Sequence, residues 1–325
     1  MRRSRIGVDG PEVTALIFGT WQFGGAWGMV ERTAAIDLIR FARDRGVTTF
    51  DTARAYGNGA AERVLGDALR DDLRHRRDEI VIATKGGLRM GVGGGLRDAS
   101  EKALREDVNA SLAALAVDYI DLYQIHHPDP HTPIEESIAV LASLQEEGKI
   151  RHVGVSNYTV AHLKRACQSG PVVSNQVAYH LFRREIEADL LPFARERDMG
   201  VLIYGPLAHG LLTGTIDGRT TFDADDWRST SPAFQGDARW RNVRVVEGLA
   251  LLARRELGIS IAQLAFAWTL RDAVIDGAIM GPQSTSDIDE AVAVSELTID
   301  SELWRQVDTL LAEAVPFVTT PVFER

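Results

Sequence analysis

The chain has 325 residues, 45% hydrophobic and 25% charged, which is enough apolar material for a large core and too little polar bias for a disordered polymer. Its 36 Lys and Arg stand against 46 Asp and Glu, a formal net charge of -10, which excludes a broad attraction to nucleic-acid backbones or anionic membrane surfaces. The single cysteine, Cys167, rules out an internal disulfide or a multi-cysteine metal site, and with no apolar run suited to export or membrane spanning the expected location is the cytoplasm.

Along the chain, short apolar segments alternate with helix-period segments. Strands are expected at Leu16–Gly19, Thr48–Asp51, Ile80–Thr84, Ile120–His126, Val153–Ser156, Val172–Gln176, Val201–Tyr204 and Gly277–Met280. Helices are expected at Thr33–Arg45, Ala60–Leu69, Ser100–Leu115, Ile134–Glu147, Val160–Gln168, Glu187–Arg197, Ile261–Arg271 and Asp287–Val294. Ser100 with Glu101 and Thr285 with Asp287 offer helix-start chemistry, and Gly46, Gly148 and Gly200 stand where helices should stop. Strict alternation of this kind implies parallel strands joined by crossover helices. Eight such units, with no half resembling a separate dinucleotide domain, favour an α/β fold of one (β/α)8 barrel spanning residues 1–325. Three additions depart from the bare repeat: a long segment from Ala208 to Ala238, an extra helix at Arg239–Glu256 before the last βα unit, and a C-terminal helix at Ser301–Ala314.

A barrel of this type builds its site at the C-terminal ends of its strands. Asp51 ends the second strand with Tyr56 on the loop beyond, Lys85 and His126 end the third and fourth, and Ser156-Asn157, Asn175-Gln176 and Tyr204 end the next three. An acid, a phenol, an amine and an imidazole suit proton transfer at a carbonyl oxygen, with the lysine lowering the pKa of the tyrosine and the aspartate holding the lysine. No side chain here donates hydride, so the chemistry requires a nicotinamide or flavin. Other readings of the same residues remain open: Lys85 as a Schiff-base nucleophile, the strand-end polar groups as rim hydrogen-bonders, or Tyr56 as an ordinary loop aromatic. His126, His127 and His131 are not read as a metal site, because neighbours on a strand point to opposite faces. Gly86–Leu96 fails the G-x-G-x-x-G pattern and is expected to be a mobile loop, while the basic run Arg74–Arg77 is given no function.

Taken together, FGTWQFGG at Phe18–Gly25, FDTARAYGNGAAERVLGDAL at Phe50–Leu69, IATKGG at Ile82–Gly87, DYIDLYQIHHPDP at Asp118–Pro130, GVSNY at Gly154–Tyr158, NQVAYH at Asn175–His180 and YGPLAHGLLTG at Tyr204–Gly214 resemble the aldo-keto reductase superfamily over nearly the whole chain. The segment Thr220–Gly236 is similar to bacterial reductases of the general-stress-protein type and to potassium-channel β-subunits. The resemblance implies a reductase of aldehydes, ketones or sugars, with Tyr56 as proton donor, Lys85 and Asp51 tuning it and His126 orienting the substrate. It implies nicotinamide contacts from Ser156, Asn157, Gln176 and Tyr204, and a dinucleotide path past Gly19, Thr20, Leu207, Gly210, Leu211, Gly281, Gln283, Ser284 and Asp287. It also makes Trp21 and Trp27 candidates for the substrate wall, and admits a cofactor-sensing regulatory role. Two departures stand out. His127 occupies the place where many members carry tryptophan. Gly281-Pro282-Gln283-Ser284, followed by Asp287 and Asp289, replaces the usual cations near a 2'-phosphate. The family habit puts NADP(H) first, with NAD(H) a rival and Arg239 or Arg241 as reserve cations. The partner is a small carbonyl or alcohol; oligomeric state is not implied.

Overall fold

The computed structural model describes residues 1–25, 30–91, 94–224 and 226–317. The chain begins with a hairpin of β1 (Arg3–Arg5) and β2 (Glu12–Thr14), then enters the barrel at β3 (Leu16–Gly19), followed by α1 (Arg32–Asp44). Next come β4 (Thr49–Asp51), α2 (Ala60–Ala68), α3 (Arg70–His75) and β5 (Val81–Gly86). A second hairpin of β6 (Leu88–Gly91) and β7 (Gly94–Arg97) precedes α4 (Glu101–Leu115). The repeat continues with β8 (Ile120–Ile125), α5 (Ile134–Glu146), β9 (Ile150–Ser156), α6 (Val160–Ser169), β10 (Val172–Ala178), α7 (Leu190–Glu196) and β11 (Gly200–Tyr204). After a long connection come α8 (Gly236–Leu257), α9 (Ile261–Thr269), β12 (Ile275–Met280), α10 (Thr285–Val294) and α11 (Ser301–Leu311).

Strands β3, β4, β5, β8, β9, β10, β11 and β12 pair in that order, all parallel, and β12 closes back on β3. The eight-unit barrel expected from the alternation is therefore the observed architecture, with α8 as the extra helix and α11 as the C-terminal one. Their apolar runs are explained by double coverage: one face meets the helices, the other fills the barrel with Ile17, Ala83, Leu122, Leu202 and Ile279. Ile6 and Val13 of the N-terminal hairpin join that inner cluster and plug the floor. The plug explains a correction at Gly200, which opens β11 rather than ending a helix. A Cβ there would lie 2.4 Å from Ile6 Cγ2 and 2.9 Å from the Gly7 nitrogen, so glycine admits the hairpin beneath the strand.

Other segments also differ from expectation, β9 opening at Ile150 rather than Val153, β12 at Ile275 rather than Gly277 and α8 at Gly236 rather than Arg239. The segment read as a loop at Gly86–Leu96 is the β6–β7 ribbon, in which Leu88 pairs with Arg97, Arg89 with Leu96 and Met90 with Gly95, where a Cβ would stand 2.8 Å from Leu88 Cδ1; Val92 and Gly93 lie outside the described residues. The helix expected from Glu187 starts at Leu190, after a 3₁₀ turn at Glu185–Glu187. Helix α10 is capped by Ser284 instead of Thr285, with Ser284 and Asp287 bonding each other's backbone N–H groups in a capping box. The Ala208–Ala238 insertion holds three 3₁₀ turns around a small aromatic core of its own. In it Phe234, fully buried, meets Phe222, Trp227 and Phe317 with ring centroids 5.5 to 5.8 Å away. The tail thus packs against the insertion at Phe317, whose N–H also donates to the Phe182 carbonyl. Residues 318–325 lie outside the described part.

Candidate active site

Alternation along β5 explains how its end serves two sides of the barrel wall. Thr84 faces outward and donates to Glu62 of α2 at 2.8 Å, while Lys85 faces inward and is 1% exposed. Lys85 Nζ donates to Asp51 Oδ1 at 2.5 Å, to the Thr52 carbonyl at 3.0 Å and to Tyr56 Oη at 3.5 Å. Asp51 also accepts from Gln176 Nε2 at 2.9 Å through its other oxygen. Both of its oxygens are therefore satisfied, as a carboxylate this deeply buried requires.

Tyr56 is delivered by a tight loop. Gly57, Asn58 and Gly59 all have positive φ, and a Cβ on Gly57 would stand 2.9 Å from the Gly24 carbonyl oxygen. Only glycine allows the loops after β3 and β4 to touch there, and that contact fixes where the phenol points. The Tyr56 and His126 rings meet edge to face at 5.8 Å. His126 lies just past the end of β8, and its ring stacks on that of His127 at 5.3 Å and 16°. The expectation that these two histidines face opposite ways is thus corrected: the strand has ended, and its alternation no longer applies. Among the described residues no group of three His, Cys, Asp or Glu is arranged for a metal ion.

Burial sets the protonation states. It pushes the Tyr56 phenol well above its ordinary value, with the Asp51 carboxylate adding to the effect. This corrects the expected lowering by Lys85, whose charge is matched at close range by Asp51. Burial drives His126 well below the ordinary imidazole value, helped by Lys85 and His127, and holds His127 at about 3 with Arg97 and Lys85 contributing. The site therefore presents a protonated phenol and a neutral imidazole side by side, with a lysine N–H able to stabilise phenolate once the proton has left. The same contacts occupy Lys85 Nζ and argue against a free amine poised for imine formation.

Above this floor opens a cavity of about 790 Å³, within the range of small-molecule and cofactor sites. Asp51, Tyr56, His126, Trp21 and His127 line one end; Gly281, Gln283, Ser284 and Asp287 line the other. Between them lie Gly19, Thr20, Ser156, Asn157, Gln176, Tyr204, Leu207 and Gly210. The structure thus brings most of the expected residues to one cavity, with Lys85 beneath its floor; Asn175 turns the other way and bonds the Tyr158 backbone, Leu211 is buried in the core and does not line the cavity, and Trp27 lies outside the described residues. The middle is pre-arranged for a flat amide-bearing ring. Tyr204 Oη donates to Asn157 Oδ1 at 2.9 Å, and Asn157 Nδ2 donates to the His126 carbonyl at 3.0 Å. That bonding fixes an aromatic face beside the Ser156, Asn157 and Gln176 side chains, a donor set that suits a nicotinamide carboxamide.

Sequence reasoning missed Gln22, Arg228, Gln263 and Glu290, which also line the cavity. Gln22 lay inside a quoted motif, and its bonds to the Gly19 and Pro282 carbonyls tie β3 to the loop after β12. The other three come from the insertion and from helices, where no strand-end rule points to them. The reserve cations are turned elsewhere: Arg239 donates to the Asp217 and Thr220 carbonyls, Arg241 to that of Glu313. Asp289 pairs with Arg45.

This barrel, with its charged strand ends converging on a phenol, matches the model of the aldo/keto reductase family over residues 15–312, and the chain belongs to that family. It is a nicotinamide-dependent oxidoreductase of small carbonyl compounds. Among curated proteins it is 35% identical to aldo-keto reductase YhdN of Bacillus subtilis (strain 168), over 99% of this chain and 97% of that one. It is 32% identical to the NADH-specific methylglyoxal reductase of Escherichia coli (strain K12), over 94% and 98%. Among solved structures, the glycerol dehydrogenase AKR11B4 from Gluconobacter oxydans superposes with a TM-score of 0.88 at 34% identity, covering 99% of both chains. No helix among the described residues is long and apolar enough to cross a membrane.

Proposed function

We propose that the chain, acting as one unit over residues 1–325, interconverts a small aldehyde or ketone and its alcohol, with Tyr56 moving the proton and NAD(H) preferred over NADP(H). The observation that carries the chemistry is the Tyr56–Lys85–Asp51 chain of contacts beneath the cavity. A bound nicotinamide supplies or accepts the hydride. The side chains do the rest. Neutral His126 donates a hydrogen bond that orients the carbonyl oxygen against Tyr56; Tyr56 donates its proton to that oxygen; Lys85, held by Asp51, stabilises the phenolate left behind. Ser156, Asn157 and Gln176 hold the carboxamide and Tyr204 supports the ring, while Trp21 walls the substrate side.

The cofactor preference rests on the far end of the cavity. The backbone N–H groups of Gln283 and Ser284, the natural donors to a 2'-phosphate, already donate to Asp287 Oδ2 at 2.8 and 3.1 Å. Asp287 and Glu290 both line that end. Among the described lining residues the one arginine, Arg228, is clasped by Asp226 and the His209 carbonyl. A phosphate there meets occupied donors and two carboxylates, whereas a ribose hydroxyl can donate to Asp287. The NADH specificity named for the E. coli relative is in keeping with this reading. Fluorescence titration with NADH and NADPH in parallel, alongside turnover of a short aldehyde with each, tests it. NADH binding tighter by about tenfold or more is expected, as the loss of a charge-assisted contact implies. Equal or tighter NADPH binding overturns the preference, and absence of turnover with either cofactor overturns the activity.

A further inference from the structure

A second cavity, of about 590 Å³, adjoins the first, and the reaction steps above make no use of it. Its walls are the end of β7 at Arg97, the segment after β8 from His127 to Ile134, and the start of α6 around His162 and Arg165. His127 and Asn157 line both cavities, so the two are one side chain apart. His127 is therefore placed where the reacting end of a substrate would give way to its tail.

The ionisable groups that line this second chamber are mostly cationic or imidazole. Arg97 lies close enough to His127 to help oppose its protonation. Across the chamber Arg165 is clasped by Glu135 through both oxygens at 2.7 Å. The lining carboxylate, Asp129, is turned onto the backbone N–H groups of Ala99 and His131 at 2.9 and 2.8 Å, so its oxygens are engaged by the wall. Guanidinium and imidazole thus predominate in the chamber's lining, a set that favours oxyanions bearing several acceptors. A purely apolar tail would instead desolvate those groups without bonding them.

We infer that this second cavity receives the anionic tail of the substrate, a phosphate or carboxylate carried on a short carbonyl compound, with Arg97 as its cation and neutral His127 as a hydrogen-bond donor at the join. The inference rests on the proposed reading of the first cavity as the carbonyl-reducing site. It assigns His127 a purpose as well: tryptophan there has one N–H and a large apolar face, while imidazole presents a polar edge to both chambers.

The test compares kcat/KM, with NADH, for glyceraldehyde 3-phosphate and succinic semialdehyde against neutral glyceraldehyde and butyraldehyde, in the wild type and in Arg97→Gln. The quantity read is the charged-to-neutral ratio, which general damage to the fold does not move selectively. The wild type should favour at least one charged member by about tenfold or more, and Arg97→Gln should erase most of that advantage through KM, with Arg97→Lys restoring part of it. The member whose advantage collapses identifies phosphate or carboxylate. Ratios near one in the wild type, or ratios unchanged by Arg97→Gln, overturn the inference. A calorimetric titration of the protein–NADH complex with glycerol 3-phosphate, and with glycerol as control, reads the same subsite without turnover. Saturable binding of the phosphate alone, weakened in Arg97→Gln, upholds the subsite even where no aldehyde is reduced, an outcome that would count against the proposed activity only. Failure of glycerol 3-phosphate to bind, together with equal reduction of charged and neutral aldehydes, removes the subsite and leaves the activity standing.

Discussion

Asp51 and Lys85 are 2% and 1% exposed and bonded at 2.5 Å, so removing either charge alone leaves the other stranded in the barrel. Asp51→Asn and Lys85→Met should each destabilise the fold by about 3–5 kcal/mol, the usual cost of an uncompensated buried ion. The double variant strands neither charge. Its cost should fall short of the sum of the two by a coupling of about 2–3 kcal/mol. The side chain introduced by Asp51→Asn retains an acceptor oxygen for the Gln176 amide that now bonds Asp51 Oδ2, which keeps the cycle from being dominated by a second broken bond. Urea unfolding of the four proteins, followed by circular dichroism, measures the coupling. Turnover should be lost in all three variants, including the double, because stability is recovered there without the lysine N–H that faces Tyr56. Additivity within about 0.5 kcal/mol would refute the picture of a mutually dependent pair, and a double variant with wild-type turnover would refute its role beneath the phenol.

The pH behaviour follows from burial. Because His126 is held well below the ordinary imidazole range and Tyr56 well above the ordinary phenol range, the neutral imidazole and the protonated phenol coexist from acid to alkaline pH. The reductive kcat should be flat between about pH 6 and 9, with no histidine step near 6.5; a step there marks a titrating His126. Asp276 gives a stability prediction. Burial pushes it up to about 6 despite bonds from Ser4 and the Val201 N–H, while in the unfolded chain it titrates near 4. The folded state thus binds a proton that the unfolded state lacks between those values, so this residue's contribution is full below about pH 4 and lost as pH rises through 6. The difference in Tm between wild type and Asp276→Asn should therefore change between pH 4 and 7 in the direction that favours the wild type at low pH; a pH-independent difference refutes the assignment.

Much of the barrel was legible because short apolar runs and period-3.6 patterns are imposed by burial, and the barrel strands are covered on both faces. The constellation of the candidate site was legible for a related reason: in a parallel barrel all strand ends meet, so Asp51, Lys85, His126 and Gln176 had to converge wherever register placed them. What the pattern hid was structure stabilised by tertiary contact. The β1–β2 hairpin is short, charged on one side and recognisable only once Ile6 and Val13 are seen filling the barrel floor. The β6–β7 ribbon is too rich in glycine to show alternation. Protonation states were misjudged at Tyr56 because sequence reveals the neighbouring ammonium but not the depth of burial or the ion pair that offsets it. Orientation past a strand end was equally hidden, as the stacked His126 and His127 rings show. Past the last barrel strand, sequence supplied Asp287 as a charge, whereas the fold made it a helix cap that accepts the backbone N–H groups of Gln283 and Ser284.

The most direct test of the account is single-turnover hydride transfer in Tyr56→Phe. The variant, bound to NADH and mixed with a short aldehyde in a stopped-flow instrument, should bind cofactor like the wild type yet transfer hydride about 10²- to 10⁴-fold more slowly, as expected on removing a positioned acid. Transfer at the wild-type rate with cofactor bound would contradict the claim that the proton passes through Tyr56.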